Sequence, residues 1–152
     1  MTVKTQKEEK LELCKGLTFI NKWGSGEALY GNCALAVDSG GNIYVADFNN
    51  NRIQKFNSSG IMQNTLGARG SGDGQFEGPS GIAIDSSGYI YVVDSGNDRI
   101  QKFNSSGVFV SKWGAPGSGD GQLSAPEGIA IDSSGNIYVT DQYDRIQVFA
   151  PQ

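Results

Sequence analysis

From Gly81 onward the apolar positions fall into four short runs, each closed by a turn-forming cluster. GIAID (Gly81–Asp85) meets Ser86-Ser87-Gly88, and YIYVVD (Tyr89–Asp94) meets Ser95-Gly96-Asn97-Asp98. RIQKF (Arg99–Phe103) meets Asn104-Ser105-Ser106-Gly107, and VFVSKW spans Val108–Trp113. Short β-branched and aromatic runs between Gly, Asn, Asp and Ser clusters predict a four-stranded antiparallel meander. In the second run both parities are apolar, Ile90 and Val92 against Tyr91 and Val93. A half-solvated strand would alternate apolar with polar, so this sheet is expected to be covered on both faces. The first strand is rich in small residues (Ala34, Gly81, Gly128; Ala36, Ala83, Ala130), which suits a place where strands converge. The third is mixed and carries Gln54, Gln101 and Gln147. Burial is therefore expected to decline from the first two strands outward.

The pattern recurs. Asp38, Asp85 and Asp132 stand 47 residues apart, as do Asp47, Asp94 and Asp141. GGNIYVAD, SGYIYVVD and SGNIYVTD surround them, followed by NRIQKF, DRIQKF and DRIQVF. A fixed period of this length marks a repeat architecture. Four-stranded units that lose burial outward are the blades of an all-β β-propeller. The run P-x-GIAID-SSG-NIYV-D, continued by RIQ-F, G-x-F and GSGDGQ, resembles the NHL repeat across residues 18–152. That resemblance implies propeller blades that usually close as a six-bladed ring. It is specific for the fold and not for a function, because one fold hosts many sites.

Residues 1–16 read as a polar tail, and 17–152 as three blades. FINKWG (Phe19–Gly24) matches FVSKWG (Phe109–Gly114), so residues 18–24 are expected as a fourth strand that opens the chain. Units follow at 34–80 and 81–127, and the last, 128–152, lacks its fourth strand. Three blades are too few for a ring, and an open arc would leave two apolar blade faces bare. The expectation is a two-fold homodimer that forms one six-bladed ring, an isologous assembly. Thr18–Trp23 of each chain would then pair beside Arg145–Phe149 of the other. Phe19, Ile20, Trp23, Ile146, Val148 and Phe149 are the expected closure residues. A fragment of a longer propeller is the alternative, against which stand the opening Met and a strand already in closure register.

Glycine is abundant, 22 residues among 152, and is placed in turns. No apolar run approaches the roughly 18 residues of a membrane span, and the first residues lack the apolar core of an export leader. A cytoplasmic location away from membranes is expected on that basis. Cys14 and Cys33 fall outside the repeat and are expected as thiols, with Cys33 packed at the start of a strand. The sequons Asn57-Ser58-Ser59 and Asn104-Ser105-Ser106 read as turns. The net charge of −4 disfavours nucleic acid and anionic lipid.

The loops from second to third strands (Asp47–Asn51, Asp94–Asp98, Asp141–Asp144) are expected to share one propeller face with the connectors Gly67–Gly78 and Gly114–Ala125. In this family that face often binds partners. Phe48, Asn49, Asn50, Arg69, Asn97, Gln142 and Tyr143 are the candidate contact residues, since variable tips on a fixed frame suit recognition. Arg52, Arg99 and Arg145 suggest a phosphate triad, as in RNA-binding members of the family. Each follows an Asp that closes the preceding strand, however, so the pairs Asp47–Arg52, Asp94–Arg99 and Asp141–Arg145 are expected to lock the hairpins. Acids (Asp73, Asp98, Asp120, Asp144, Glu27, Glu77, Glu127) also outnumber Arg69, the one added base on that face.

Asp47-x-Asn49-x-Asn51 and Asp94-x-Gly96-x-Asp98 open like calcium loops. Ser58 or Ser105 stands where a bidentate Glu is needed, and no metal is expected. GSGDGQ (Gly70–Gln75, Gly117–Gln122) is followed by no helix and lacks a phosphate loop's Lys-Ser/Thr. The chain contains no histidine, which removes a Ser-His-Asp triad and the commonest general base. Lactonase-like and amidating-lyase propellers share the architecture, and the amidating lyases depend on histidine. The expected function is thus non-catalytic and without cofactor: a scaffold that presents loops to a protein, peptide or small molecule. The alternatives are an RNA-binding propeller, a calcium-dependent hydrolase, and a consensus or designed chain without a biological ligand.

Overall fold

A computed structural model describes residues 20–22, 29, 31 and 33–151. It contains three antiparallel sheets. The first holds β1 (Cys33–Val37), β2 (Ile43–Asp47), β3 (Arg52–Phe56) and β4 (Met62–Leu66) in sequential order. The second holds β5 (Pro79–Ile84), β6 (Ile90–Asp94), β7 (Arg99–Phe103) and β8 (Phe109–Trp113). The third has three strands, β9 (Ile129–Ile131), β10 (Ile137–Asp141) and β11 (Arg145–Phe149). Two sheets are thus complete four-stranded blades, and β11 stands at an edge.

Local chemistry sets each turn. In the β5–β6 hairpin, Asp85 Oδ1 accepts from the Ser87 and Tyr89 backbone N–H groups at 2.9 and 3.0 Å, an Asx-type turn. Its other oxygen accepts from the Tyr91 hydroxyl at 2.9 Å. Asp38 and Asp132 repeat this arrangement with Tyr44 and Tyr138. Register follows the turn: Ala83 faces Tyr91 and Ile84 faces Ile90.

The core lies between the blades. Tyr44, Ala46 and Ile53 of the first blade pack on Ile82, Ile90, Val92 and Phe103 of the second. Tyr91, Val93 and Ile100 of the second pack on Ile137 and Val139 of the third. β6 is therefore buried at every position, as apolar residues on both parities predict. β10 alternates buried and exposed, because its Tyr138 and Thr140 face has no blade against it. Burial peaks at the second and third strands, not at the first two as expected, because β1 is largely uncovered. The glutamines of the third strand contribute to this: Gln54 and Gln101 lie inside and are hydrogen-bonded there.

Of the expected opening strand, Ile20–Lys22 is not in a strand, and Ile20 is 92% exposed. Phe19 and Trp23 lie outside the described residues. The sheet edge that matches this segment by repeat is β11, at the opposite end of the blade series.

The small residue at the start of the inner strand has a steric cause. A Cβ on Gly81 would stand 2.6 Å from the Glu127 carbonyl oxygen and 2.9 Å from Val93. Backbone cannot yield there, so Gly81→Val is expected to destabilise the chain by about 1–3 kcal/mol, an overpacking cost. Urea unfolding would show it as a lower midpoint with an unchanged slope.

Candidate binding face

Each blade places a carboxylate at the end of its second strand, where strand and turn leave no room for water. Asp94 is fully buried. Its oxygens accept from the Glu77 backbone N–H at 2.8 Å, Asn97 Nδ2 at 2.9 Å, Arg99 Nε at 2.7 Å and Gln101 Nε2 at 3.1 Å. A buried charge persists only when it is met in this way.

Arg99 has further donors, and they reach the preceding connector. Its guanidinium donates to the carbonyls of Ser71 and Gly72 at 2.8 Å and of Gln75 at 3.0 Å. Gln101 donates to the same Gln75 carbonyl at 2.7 Å and accepts from the Gly74 N–H at 2.9 Å. The GSGDGQ connector is thus a strap held by one Arg and one Gln, which a glycine-rich segment lacking regular structure requires. The third blade repeats the scheme. Arg145 holds Ser118 at 2.6 Å and Gln122 at 2.8 Å, while Gln147 donates to Gln122 and accepts from Gly121. In the first blade, Arg52 and Gln54 both donate to Asp47.

The connector ends in an apolar plug. Phe76 and Leu123 are completely buried and belong to the first and second inter-blade cores. After each plug, the loop of the earlier blade holds the chain: Asn51 Oδ1 accepts from the Gly78 N–H, and Asp98 Oδ1 from the Ala125 N–H, both at 2.7 Å. These bonds place the second-to-third-strand loops and the connectors on one face.

The candidate contact residues divide into two groups. Asn50 and Asn97 donate to Asp47 and Asp94, so their amides act inside the frame. Phe48 packs against Gly78. Arg69 forms a two-pronged exposed ion pair with Glu77 at 3.0 and 3.1 Å. Asn49, Gln142 and Tyr143 are exposed, with Tyr143 against the Arg145 guanidinium at 5.5 Å and Gln142 donating to the Ser124 hydroxyl. Arg52, Arg99 and Arg145 each face an aspartate at 2.7–3.0 Å. Gln54, Gln101 and Gln147 read in sequence only as polar positions of a mixed third strand, and Phe76 and Leu123 were not singled out at all. Their signal was the same residue type recurring at repeat spacing.

The Arg145 guanidinium holds the Asp141 carboxyl below its ordinary 3.8. Asn136 does the same for Asp132. At Asp38, burial pushes upward, but hydrogen bonds from Asn42, Gly40 and Tyr44 outweigh it.

Antiparallel meander sheets packed face to face, joined by connectors whose apolar plugs sit between them, define a propeller-type repeat protein. The NHL repeat matches residues 34–56, 76–103 and 123–149, and the chain belongs to that family. No curated protein matches it. Among solved structures it is similar to a Bacteroides thetaiotaomicron structural genomics protein of unknown function, at 20% identity and TM-score 0.66, over 78% of this chain and 34% of that one. A streptogramin B lyase matches at 20% identity and TM-score 0.57, over 77% and 39%. Kuenenia stuttgartiensis hydrazine synthase matches at 15% and 0.64, over 88% and 36%. These likenesses show the fold alone, and the chain spans well under half of each of those chains.

Two outcomes follow from the network. Arg99→Ala leaves Asp94 buried without its cation and is expected to cost about 3–5 kcal/mol. Arg69→Ala breaks an exposed, solvent-screened pair and is expected to leave the urea midpoint nearly unchanged. Paired urea titrations measure both. The acid limb has a definite sign as well. Asp38, Asp132 and Asp141 titrate lower folded than unfolded, so the folded chain binds fewer protons. Their stabilisation is present above the unfolded value and lost as pH falls through it and below. The urea midpoint is expected to stay level above about pH 5 and to decline below about pH 4.

Proposed function

We propose that this chain is a non-catalytic propeller module that completes itself with a second copy. Two three-bladed chains form one six-bladed ring, whose loop face receives a protein, peptide or small-molecule partner. The observation that carries this reading is the mismatch in burial between repeat-equivalent residues at the two ends. Leu35 is 65% exposed while its equivalent Ile82 is 6% exposed. At the other end Ile146 is 66% exposed while Ile100 is fully buried. Val37 and Tyr138 add to the same two faces. Inside the chain, the face of type Tyr91–Val93–Ile100 is covered by the face of type Ile129–Ile137–Val139. The bare third-blade face calls for that same type of surface, and the first blade of another copy carries it.

The sheets support the same reading. β4 and β8 cover the outer edges of their blades, and β11 has no such neighbour among the described residues. An open edge strand is a template for pairing. Repeat alignment sets Ile146 opposite Trp23 and Phe149 opposite Phe19, as Ile100 faces Trp113 and Phe103 faces Phe109. Partner recognition then falls to Asn49, Gln142 and Tyr143, exposed tips on a frame fixed by the buried carboxylates.

Light scattering after size exclusion, run over a dilution series, decides the assembly. The expected mass is twice the chain's 16.1 kDa. A monomer at every concentration would overturn the two-chain ring and leave the missing blades to another chain or segment.

A further inference from the structure

We infer that Asp144 of one copy accepts a hydrogen bond from the Gly31 N–H of the other, latching each joint between the two half-rings. This rests on the two-chain reading above and names the polar contact that sets its register. The argument comes from how the chain holds its own two blade joints.

After the second strand of each blade, the turn ends on a residue in the left-handed region: Asn51 at φ 53°, Asp98 at φ 52° and Asp144 at φ 51°. Asn and Asp tolerate that conformation better than most residues. Asn51 and Asp98 then use the side-chain oxygen across the joint, accepting from Gly78 and Ala125 at 2.7 Å. Both donors share a feature. Gly78 (φ 60°) and Ala125 (φ 40°) have positive φ and lie two residues beyond the buried plugs Phe76 and Leu123. The positive φ turns the N–H toward the neighbouring blade.

Forty-seven residues before Gly78 stands Gly31, with φ 91°. Two residues before it is Leu29, at the position of Phe76 and Leu123. The chain thus carries a third candidate donor at one end, at positive φ like the joined donors, and a third acceptor at the other, in the left-handed conformation of Asn51 and Asp98. Asp144 is exposed, and no hydrogen bond of its carboxylate or of the Gly31 N–H occurs among the described residues. Within one chain the two belong to opposite ends of the blade series. In a two-fold ring each Asp144 meets the other copy's Gly31, so the pair occurs twice.

Asn51 supplies the control, since an amide oxygen makes the same contact. The full chain is compared with Asp144→Asn, which keeps an acceptor, and Asp144→Gly, which removes it and remains at ease at positive φ. Sedimentation equilibrium gives the dimer dissociation constant, and circular dichroism with urea unfolding checks the monomer fold. The latch predicts that Asp144→Asn stays within about 3-fold of the parent, while Asp144→Gly weakens the dimer by at least about 10-fold. A dimer of unchanged affinity in Asp144→Gly overturns the latch and leaves the ring standing. Equal weakening in both variants also overturns it, because the charge and not the acceptor would then matter. A parent chain that never dimerises removes the two-chain reading and the latch together.

Discussion

A carboxylate cut off from water must be met by protein donors, and the rest of this structure follows from how that is done. At the end of β6, Asp94 accepts from a backbone N–H of the connector, an amide of its own turn, and the Arg99 and Gln101 side chains of the neighbouring strand. Those four donors belong to three separate pieces of chain. One charge therefore fixes turn, strand and strap relative to one another. Arg99 is the efficient choice, because its planar fork keeps donors free for the strap after the carboxylate is satisfied. Lysine, a single point charge, could neutralise Asp94 but could not also hold Ser71, Gly72 and Gln75.

The same network explains why the connectors can be glycine-rich without being loose. GSGDGQ has little side-chain packing to offer, so its order comes from carbonyls bound by Arg99 and Gln101 and from Phe76 seated between blades. Leu123 serves the next joint in the same manner. Blade packing and strap anchoring thus cooperate: the plug requires the strap in place, and the strap is positioned by residues whose strands the plug helps to cover. The exposed Asn49 and Gln142 stand at the tips of this frame, while Tyr143 joins it through its backbone N–H, which donates to Asp141.

Much of the fold was legible because its signals are local and repeated. The period located the blades, the Asp-Ser-Ser-Gly turns set the hairpins, and apolar residues on both parities of β6 announced cover on both sides. The Arg–Asp pairs could be read from their positions flanking a hairpin. The buried glutamines were harder. A polar residue in a strand suggests exposure, and only the connector carbonyls, distant in sequence, make Gln101 an interior residue. Asn50 and Asn97 resembled free loop tips for the converse reason: their partners, Asp47 and Asp94, looked already taken by arginine. The opening strand at residues 18–24 matched its repeat in sequence, yet Ile20–Lys22 is not in a strand. A strand needs an edge to pair with, and pattern alone does not supply one.

Repetition also makes the incomplete positions informative. In an ordinary domain an exposed Leu or Ile says little, since single apolar residues are common at surfaces. Here Leu35 and Ile146 have buried equivalents, Ile82 and Ile100, 47 and 46 positions away, and the neighbour of each equivalent shows what surface would cover it. Leu35 and Ile146 are exposed in this structure, while Ile82 and Ile100 are covered by the blades beside them. The alternation along β10 carries the same meaning. In a repeat chain, the surface that covers the buried equivalent shows what kind of surface would fit the exposed one. The two-chain ring proposed above would satisfy both ends at once, because a two-fold axis would bring each bare face to the one it lacks.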